Sequence, residues 1–370
     1  MRLACYNVEN LFDRARVMNL DDWEDGRPIL EKFAALNTLL AKRTYSAADK
    51  AQMIVLLVEL GLERSDETRF VRLRRNRGEL LKRPAGGGIE VVAEGRADWI
   101  GSLELVDEPI RHDAVLNTAR IIREVGADIL GIVEAEDRPA LAEFNRVMLP
   151  EVGGASYRHV MVIDGNDERG IDVGLMCRDG FAIRRMSSHV DDRLPDGKLV
   201  FSRDCPEYEI ETPAGTKLVV LVNHLKSKGF GTPASSNARR LAQAARVKEI
   251  YDARRADGHD HVAVIGDFND IPASAPLAPL LQSTDLKDVF AHSLFDTGGF
   301  PGTHGACGPS AKLDYILLSP ALFAKVTATG INRRGMWPGV RPRKWATLAE
   351  LAHKRDVASD HAALWVDLNI

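Results

Sequence analysis

Five polar positions in this chain share one setting, each lying at or just beyond the end of an apolar, strand-like run. Asn7 and Glu9 come after LACY, Glu134 after DILGIV, His224 after LVVLVN and Asp267 after VAVIG. Ligands gather at strand ends in open α/β sheets, because carboxylates can converge there while the sheet holds their backbones still. One such residue alone reads as a solvated strand terminus. Carboxylates, an amide and an imidazole recurring in this setting fit hydrolysis at phosphorus assisted by a hard divalent cation.

Glu134 sits at the rim of a buried strand, and with Asn7 or Glu9 nearby it suits Mg²⁺ or Mn²⁺, which take one or two carboxylates plus waters and phosphate oxygens. Glu136 and Asp137 are expected to cap the next helix. In Asp267-Phe268-Asn269, alternation along an extended chain puts both polar side chains on one side with Phe268 packed on the other. Such a pair positions a water for attack and donates an amide N–H to the transition state; the competing reading is an Asx turn that ends the strand. Asp360-His361 precedes the last strand, and Asp314 opens another. A histidine acting near neutral pH needs a carboxylate to orient it, and Asp314 is the candidate for His361. His224, in Asn-His-Leu-Lys-Ser, can donate to a phosphate oxygen, with Asp172 of RGIDVG as its orienter and Lys226 neutralising the phosphate. The plainer readings are a turn cap for Asp172 and a solvated loop lysine for Lys226.

At 370 residues and 45% hydrophobic, the chain is an ordinary globular protein with one large core or two modest ones. No apolar run approaches the length of a membrane span; the most apolar stretch, AQMIVLLVELGL from Ala51, is interrupted by Glu59. The first residues read as a strand rather than a signal peptide, and cytoplasmic residence is the default expectation. Cys5, Cys177, Cys205 and Cys307 are scattered and read as thiols. Without CxxC, HxH or HExxH, any metal must sit on oxygen ligands. A net charge of −4 leaves polyanion binding to local patches. Residues 64–83 carry eight Arg or Lys against three acids, and residues 331–345 carry five against none, with Trp337 and Trp345 interleaved. Arg169, Arg341, Arg343 and Trp345 are the candidate substrate contacts, and a solvated basic face is the competing reading of each patch.

These residues need elements to hold them. Helical spacing runs from about Pro28 to Leu62, with a capping-box-like restart at Ser46-Ala-Ala-Asp49 that predicts two helices. Short strands are expected at Phe70–Leu73, Ile89–Val92 and Ile100–Val106, with Pro84–Gly88 as a hairpin tip and only a weak phosphate-loop candidate. From Pro109 a helix-then-strand rhythm begins. Strands are expected at Tyr157–Ile163, Asp172–Cys177, Phe181–Met186, Lys217–Asn223, His261–Gly266, Leu313–Leu318 and Ala362–Leu368, with a long helix from Ser235 to about Arg255. Residues 13–108 therefore read as an insertion into one domain formed by 1–12 and 109–370.

The series NVENLF, ILGIVE, RGIDVG, VNHLKS, IGDFND, LDYILLS and SDH, in this order, resembles the endonuclease/exonuclease/phosphatase superfamily that includes the DNase I-like nucleases. The resemblance covers residues 1–12 and roughly 110–370. It implies an α/β fold of the α+β type: a four-layer, DNase I-like sandwich of two mixed β-sheets flanked by helices, with the site across the sheet ends. Asn7 and Glu9 then match the N-terminal metal-site pair, Glu134 the principal metal-binding glutamate and His224 the phosphate-contacting histidine. Asp267 and Asn269 match the GDFN pair, Asp360-His361 the terminal dyad, and Asp314 the carboxylate that orients the last histidine. The general base is left between His361 and Asp267. The implied activity is phosphodiester hydrolysis dependent on Mg²⁺ or Mn²⁺, through one-step in-line attack by water. A nuclease, specifically an endonuclease acting on DNA and leaving 5′-phosphate ends, is the first reading, resting on the two basic patches and the tryptophans. Inositol phosphates, sphingomyelin or another small ester are the alternative, and an inactive binding module is a remote one.

Overall fold

The computed structural model of the chain describes residues 1–20, 23–167, 169–228, 232–340 and 343–370. It divides into two compact units. The larger comprises Met1–Phe12, Ile110–Lys228 and Thr232–Ile370, and the smaller Asp13–Pro109.

Strands of the larger unit, numbered within it, are β1 (Arg2–Asn7), β2 (Ile129–Ala135), β3 (His159–Ile163), β4 (Asp172–Cys177), β5 (Ala182–Ser187), β6 (Glu207–Glu211), β7 (Lys217–His224), β8 (Val262–Asp267), β9 (Lys287–Asp288), β10 (Asp314–Leu318), β11 (Val326–Asn332) and β12 (Ala363–Leu368). They form two six-stranded mixed sheets in the orders β11-β12-β1-β2-β4-β3 and β5-β6-β7-β8-β10-β9. β1 runs parallel to β2 and β7 parallel to β8, while the other pairs are antiparallel. Nine of these strands coincide closely with the sequence expectation, and the two-residue β9 was not anticipated. β6, EYEIE, alternates strictly and was readable though not singled out, whereas the threonines and glycine of VTATGIN dilute the apolar alternation of β11.

Period-two alternation explains the layering. Leu3, Cys5, Ile129 and Val133 of the first sheet share a core with Val220, Val222, Ala263 and Ile265 of the second. Their neighbours Ala4, Tyr6, Leu130 and Ile132 face outward beneath helix α1 (His112–Val125). The outward Val219, Leu221, Val262 and Val264 pack under helix α3 (Pro233–Ala256) through Ala244, Val247 and Tyr251. Helix, sheet, sheet and helix therefore stack in four layers. Arg2–Asn7, read as a strand rather than a leader, lies in the interior of the first sheet. All four cysteines are buried free thiols, and among the described residues no helix is long and apolar enough to cross a membrane.

One glycine is required where β7 and β8 run side by side. Gly266 has φ +141°, and a Cβ there would lie 1.9 Å from the Asn223 carbonyl oxygen. Gly266→Ala is expected to cost at least about 2 kcal/mol, because the obstacle is backbone rather than a side chain that can swing away. A melting temperature lowered by several degrees checks it; an unchanged one would show that the strands part without cost.

The smaller unit has its own core, formed by helices Trp23–Leu40 and Ala47–Glu59 against strands Val71–Gly78 and Trp99–Leu105. The second helix starts at the Ser46–Asp49 capping box. Pro84–Gly88 joins strands Leu81–Lys82 and Glu90–Val91 as an exposed turn closed by Gly87 N–H to the Pro84 carbonyl, a hairpin tip and no phosphate loop. The basic patch expected over residues 64–83 is partly neutralised, five of its eight cations being paired. Arg72 pairs with Glu67, Arg74 with Glu104, Arg75 and Arg83 with Asp66, and Lys82 with Glu79. Counting charges along the segment missed Glu104, which arrives from the facing strand.

Candidate active site

Register alone assembles half of the site. Across β7, β8 and β10, His224 stands beside Asp267 and Asp267 beside Asp314, three polar residues in one row at the same end of the second sheet. In the first sheet Asn7 ends β1 beside Val133, so Glu134 follows at the same level. The two sheets meet at this end: Asn7 Nδ2 donates to Asp267 Oδ2 at 3.3 Å, and His224 Nε2 lies 3.6 Å from Glu134 Oε1 and 3.7 Å from Asp267 Oδ2. His361, just before β12, places Nδ1 2.8 Å from Asp314 Oδ2 and Nε2 3.9 Å from Asp267 Oδ2. Asn7, His224, Asp267, Asp314 and His361 are all buried.

Local backbone distortion aims the remaining groups. Non-glycine residues with positive φ are Glu9, Asn10, Glu134, Asn269 and Cys307, and four of these five belong to the β1, β2 and β8 ends that form the site. Such residues persist only where surrounding structure holds them. Glu134 is the extra residue of a β-bulge: Asp172 pairs with Ala135 and Val173 with Val133, so Glu134 is skipped and its side chain re-aimed. At Asn269 the chain has already left the strand. Its N–H donates to Asp267 Oδ1 at 2.8 Å in the Asx turn that was the competing expectation, and its Nδ2 reaches Asp267 Oδ2 at 3.2 Å. Turn and shared polar face therefore coexist, with Phe268 buried and stacked on Tyr315 at 4.6 Å. Glu136 differs from its expected capping role: its Oε1 accepts the N–H groups of Leu11 and Phe12 and so anchors the loop after β1, while Asp137 does cap helix α2 (Arg138–Glu143).

Charge in this pocket is unevenly shared. Burial, reinforced by Asp314 and opposed by His361, pushes the Asp267 carboxyl up to about 7. Burial opposes a charge on His361, yet Asp314, Asp360 and Asp267 together outweigh it and hold the ring's pKa well above the usual histidine range. His224 moves the other way: burial, then Arg203 and Arg169, hold it neutral. Lys226, half-buried, is brought down to about 8 by burial and the same two arginines.

Several expected contacts are placed elsewhere. Asp172 does not orient His224; its Oδ1 accepts the Gly165 N–H at 2.8 Å, and the buried His224 Nδ1 has no hydrogen-bond partner. The bulge at Glu134 is what turns Asp172 to the neighbouring loop. Arg169 is bound bidentately by Asp167, at 2.9 and 2.8 Å, and reaches the site as a nearby charge. Trp345 is no exposed stacking platform: it packs edge-on against Phe300 at 5.4 Å and joins the cluster of Met336 and Cys307. Arg341 falls outside the described residues, and Arg343 is exposed. Asp360 N–H donates to Glu9 Oε2 at 2.9 Å, tying the two outer acids together.

Two residues of the site were not singled out from sequence. Arg203 is fully buried, with Nε 3.0 Å from Asp167 Oδ2 and Nη1 without a hydrogen-bond partner. His304 places Nε2 3.0 Å from Asp360 Oδ2 and its ring centroid 4.7 Å from that of His361. An arginine in VFSRDC and a histidine in a glycine-rich loop ten residues before Asp314 were the available signals, and neither ends an apolar run.

Residues 110–361 match the family described as Endonuclease/Exonuclease/phosphatase. No curated protein sequence matches the chain. Among solved structures the fold is similar to that of a mannosyl-6-phosphatase from Bacteroides thetaiotaomicron, with 18% identity and a TM-score of 0.51 over 70% of this chain and 90% of that one. An endonuclease/exonuclease/phosphatase from Bacteroides vulgatus aligns at 17% identity and a TM-score of 0.49, covering 69% of this chain and 90% of that one. The human Nocturnin catalytic domain with bound sulfate anion aligns at 17% and 0.48, covering 70% and 87%.

Proposed function

The chain belongs to the endonuclease/exonuclease/phosphatase family of phosphoester hydrolases, on a DNase I-like fold, and from that premise we propose that it is a divalent-metal-dependent nuclease, an endonuclease acting on DNA. The observation that carries the reading is the buried row His224–Asp267–Asp314 with Asn7, Glu134 and His361 closed over it.

The donor set fits a hard cation. Glu134, His224 and Asp267 each offer a ligand atom within 4.8 Å of the others, and burial deprives the Asp267 carboxyl of solvation that a neighbouring cation would replace. Glu134, with Asn7, Glu9 and Asp360 at the margin, would hold Mg²⁺ or Mn²⁺ beside the Asp267 carboxylate. When bound, the ion neutralises the phosphate and stabilises the leaving oxygen. The protein's own groups divide the rest. His361, kept cationic by its carboxylates, donates to a non-bridging phosphate oxygen, while Asn269 Nδ2, which donates to Asp267 Oδ2 at 3.2 Å and to the Leu225 carbonyl at 3.1 Å, holds the Asp267 carboxylate in place. Neutral His224 adds a hydrogen bond, and Lys226 a charge. Asp267 at the end of β8 is our choice as acceptor of the attacking water's proton, since His361, already protonated, has no free nitrogen to accept one. Water oxygen bonds to phosphorus as the ester P–O bond breaks, and the departing alkoxide takes a proton from solvent.

Preference for a nucleic acid is supported by cations beside the site's mouth: Lys344 Nζ bonds the Ala306 carbonyl in the His304 loop, with exposed Arg343 adjacent. The paired arginines of the smaller unit weaken one support and favour the second reading, a small phosphomonoester. Cytoplasmic residence completes the proposal, supported by four buried thiols.

Purified protein is incubated with Mg²⁺, Mn²⁺ or EDTA against plasmid, single-stranded DNA, RNA and a sugar or inositol phosphate. Cleavage of DNA that EDTA abolishes is the expected result. Phosphate released from the small ester, with every nucleic acid intact, would overturn the choice of substrate and keep the site.

A further inference from the structure

We infer that the larger unit has a second anion-binding groove, on the side of the sandwich between β3 and β5, which holds the phosphate backbone of a nucleic-acid strand running away from the site; this rests on the nuclease reading above. β3 is the edge of one sheet and β5 the edge of the other. Between them lies a groove of about 380 Å³ lined by Arg138, Arg158, His159, Arg184 and Arg185, with Met186 among its apolar walls and no acidic residue. Arg184 is held by Glu211 at 3.1 Å, and Arg138 spends its Nε on the Val160 carbonyl. Arg158 and Arg185 are exposed and form no ion pair among the described residues.

Geometry makes this more than a solvated edge. Successive residues of a strand point to opposite faces, so Arg184 and Arg185 would ordinarily diverge. The register of β5 slips between Ile183 and Arg185, leaving Arg184 as the extra residue of a bulge, and both arginines line the groove, Arg184 with its guanidinium on Glu211. Charged edge strands also discourage stray strand pairing. That role asks nothing of the facing edge, yet here Arg158 and His159 answer from it, and Arg138 joins them from α2. Guanidinium groups bind phosphate bidentately, and such contacts fix a strand's position without reading its sequence.

The groove also lies at a useful distance. The site is level with the Asp172–Ala135 pair, and the lining residues Met161, Val160 and His159 pair with Leu175, Met176 and Cys177, three to five residues further along β4. At about 3.3 Å per residue that is roughly 10–17 Å along the strand, and with the two strand spacings of about 4.8 Å from β2 to β3 the separation is roughly 14–20 Å. A strand rising about 3.4 Å per nucleotide covers it in about four to six nucleotides.

The test compares wild-type protein with the double variant R158E/R185E, both exposed positions outside the catalytic row, on oligodeoxynucleotides of about 3, 6 and 12 nucleotides. Bis(p-nitrophenyl) phosphate serves as a small diester, with Mg²⁺ or Mn²⁺ present. Wild type should show KM falling about tenfold or more with length. The variant should lose that gain, and its salt dependence should flatten by about 1.4 for two lost single-strand contacts. Its kcat, small-diester hydrolysis and melting temperature should stay unchanged. Length gain and salt slope that persist in the variant, or a wild type indifferent to length, overturn the groove while the nuclease stands. Hydrolysis of the small diester with every oligonucleotide untouched overturns the nuclease reading and the groove with it.

Discussion

Asp267→Asn is expected to lower kcat by about 10³-fold while leaving the protein as stable as before or more so. The substitution preserves shape and removes the charge and the proton acceptor. Asp267 is the hub of the site: Oδ1 holds the Asn269 N–H, and Oδ2 faces Asn7, Asn269, His224 and His361 between 3.2 and 3.9 Å. Burial works against its ionised form, which raises its pKa from 3.8 to about 7. The folded state therefore binds this proton more tightly than the unfolded chain, and without added metal the wild type loses stability as pH rises through that interval. An asparagine has no such loss. Turnover in saturating Mg²⁺ or Mn²⁺ and thermal melting in EDTA at about pH 5 and 8 check both halves. Retention of more than about a tenth of wild-type turnover would remove Asp267 from the chemistry. A large fall in melting temperature would show that its loss acts through folding instead.

Asp314→Asn and His361→Ala are each expected to cost about 10²- to 10⁴-fold in kcat, and the double variant little more than the worse single one. Asp314 Oδ2, 2.8 Å from His361 Nδ1, fixes the ring so that Nε2 faces Asp267 and the reacting phosphate. An asparagine that turned its amide toward Nδ1 would donate where the carboxylate accepts. The ring would then lose its charge or turn away, and the histidine would remain without its function. The non-additivity is the informative part: residues acting as one unit fail together. A cycle in which the two losses multiply would mean that each contributes separately. His361→Ala combined with the EDTA control also guards the substrate panel against a contaminating nuclease.

The polar residues at strand ends were legible because apolar alternation exposes a strand even in a single sequence, and the residue that ends it is then located to within a position or two. Nine strands, the helix before β2, the long helix before β8 and the Ser46–Asp49 cap were all readable in that way. So was the pairing of Asp314 with His361, though only as a chemical requirement, since nothing in the spacing shows that two distant segments meet. β11 escaped because threonine, alanine and glycine make its alternation chemically faint, whereas β6, with Tyr208 and Ile210 between glutamates, carried a readable alternation that was not used.

What the sequence by itself determined is the set of strands, their burial and the order in which chemically capable residues leave them. Tertiary structure alone decided which of those residues meet. Alternation is a property of one strand, whereas the bulge that re-aims Glu134 exists only against β4, which holds Val133 and Ala135 in register and leaves Glu134 over. Arg203 and His304 enter the site from loops, where no periodicity constrains a side chain, so only the packed neighbours Asp167 and Asp360 locate them. The same cause lowered the apparent charge of the basic segment 64–83: Glu104 lies on the facing strand and pairs with Arg74, and charges cancel in space rather than along the chain.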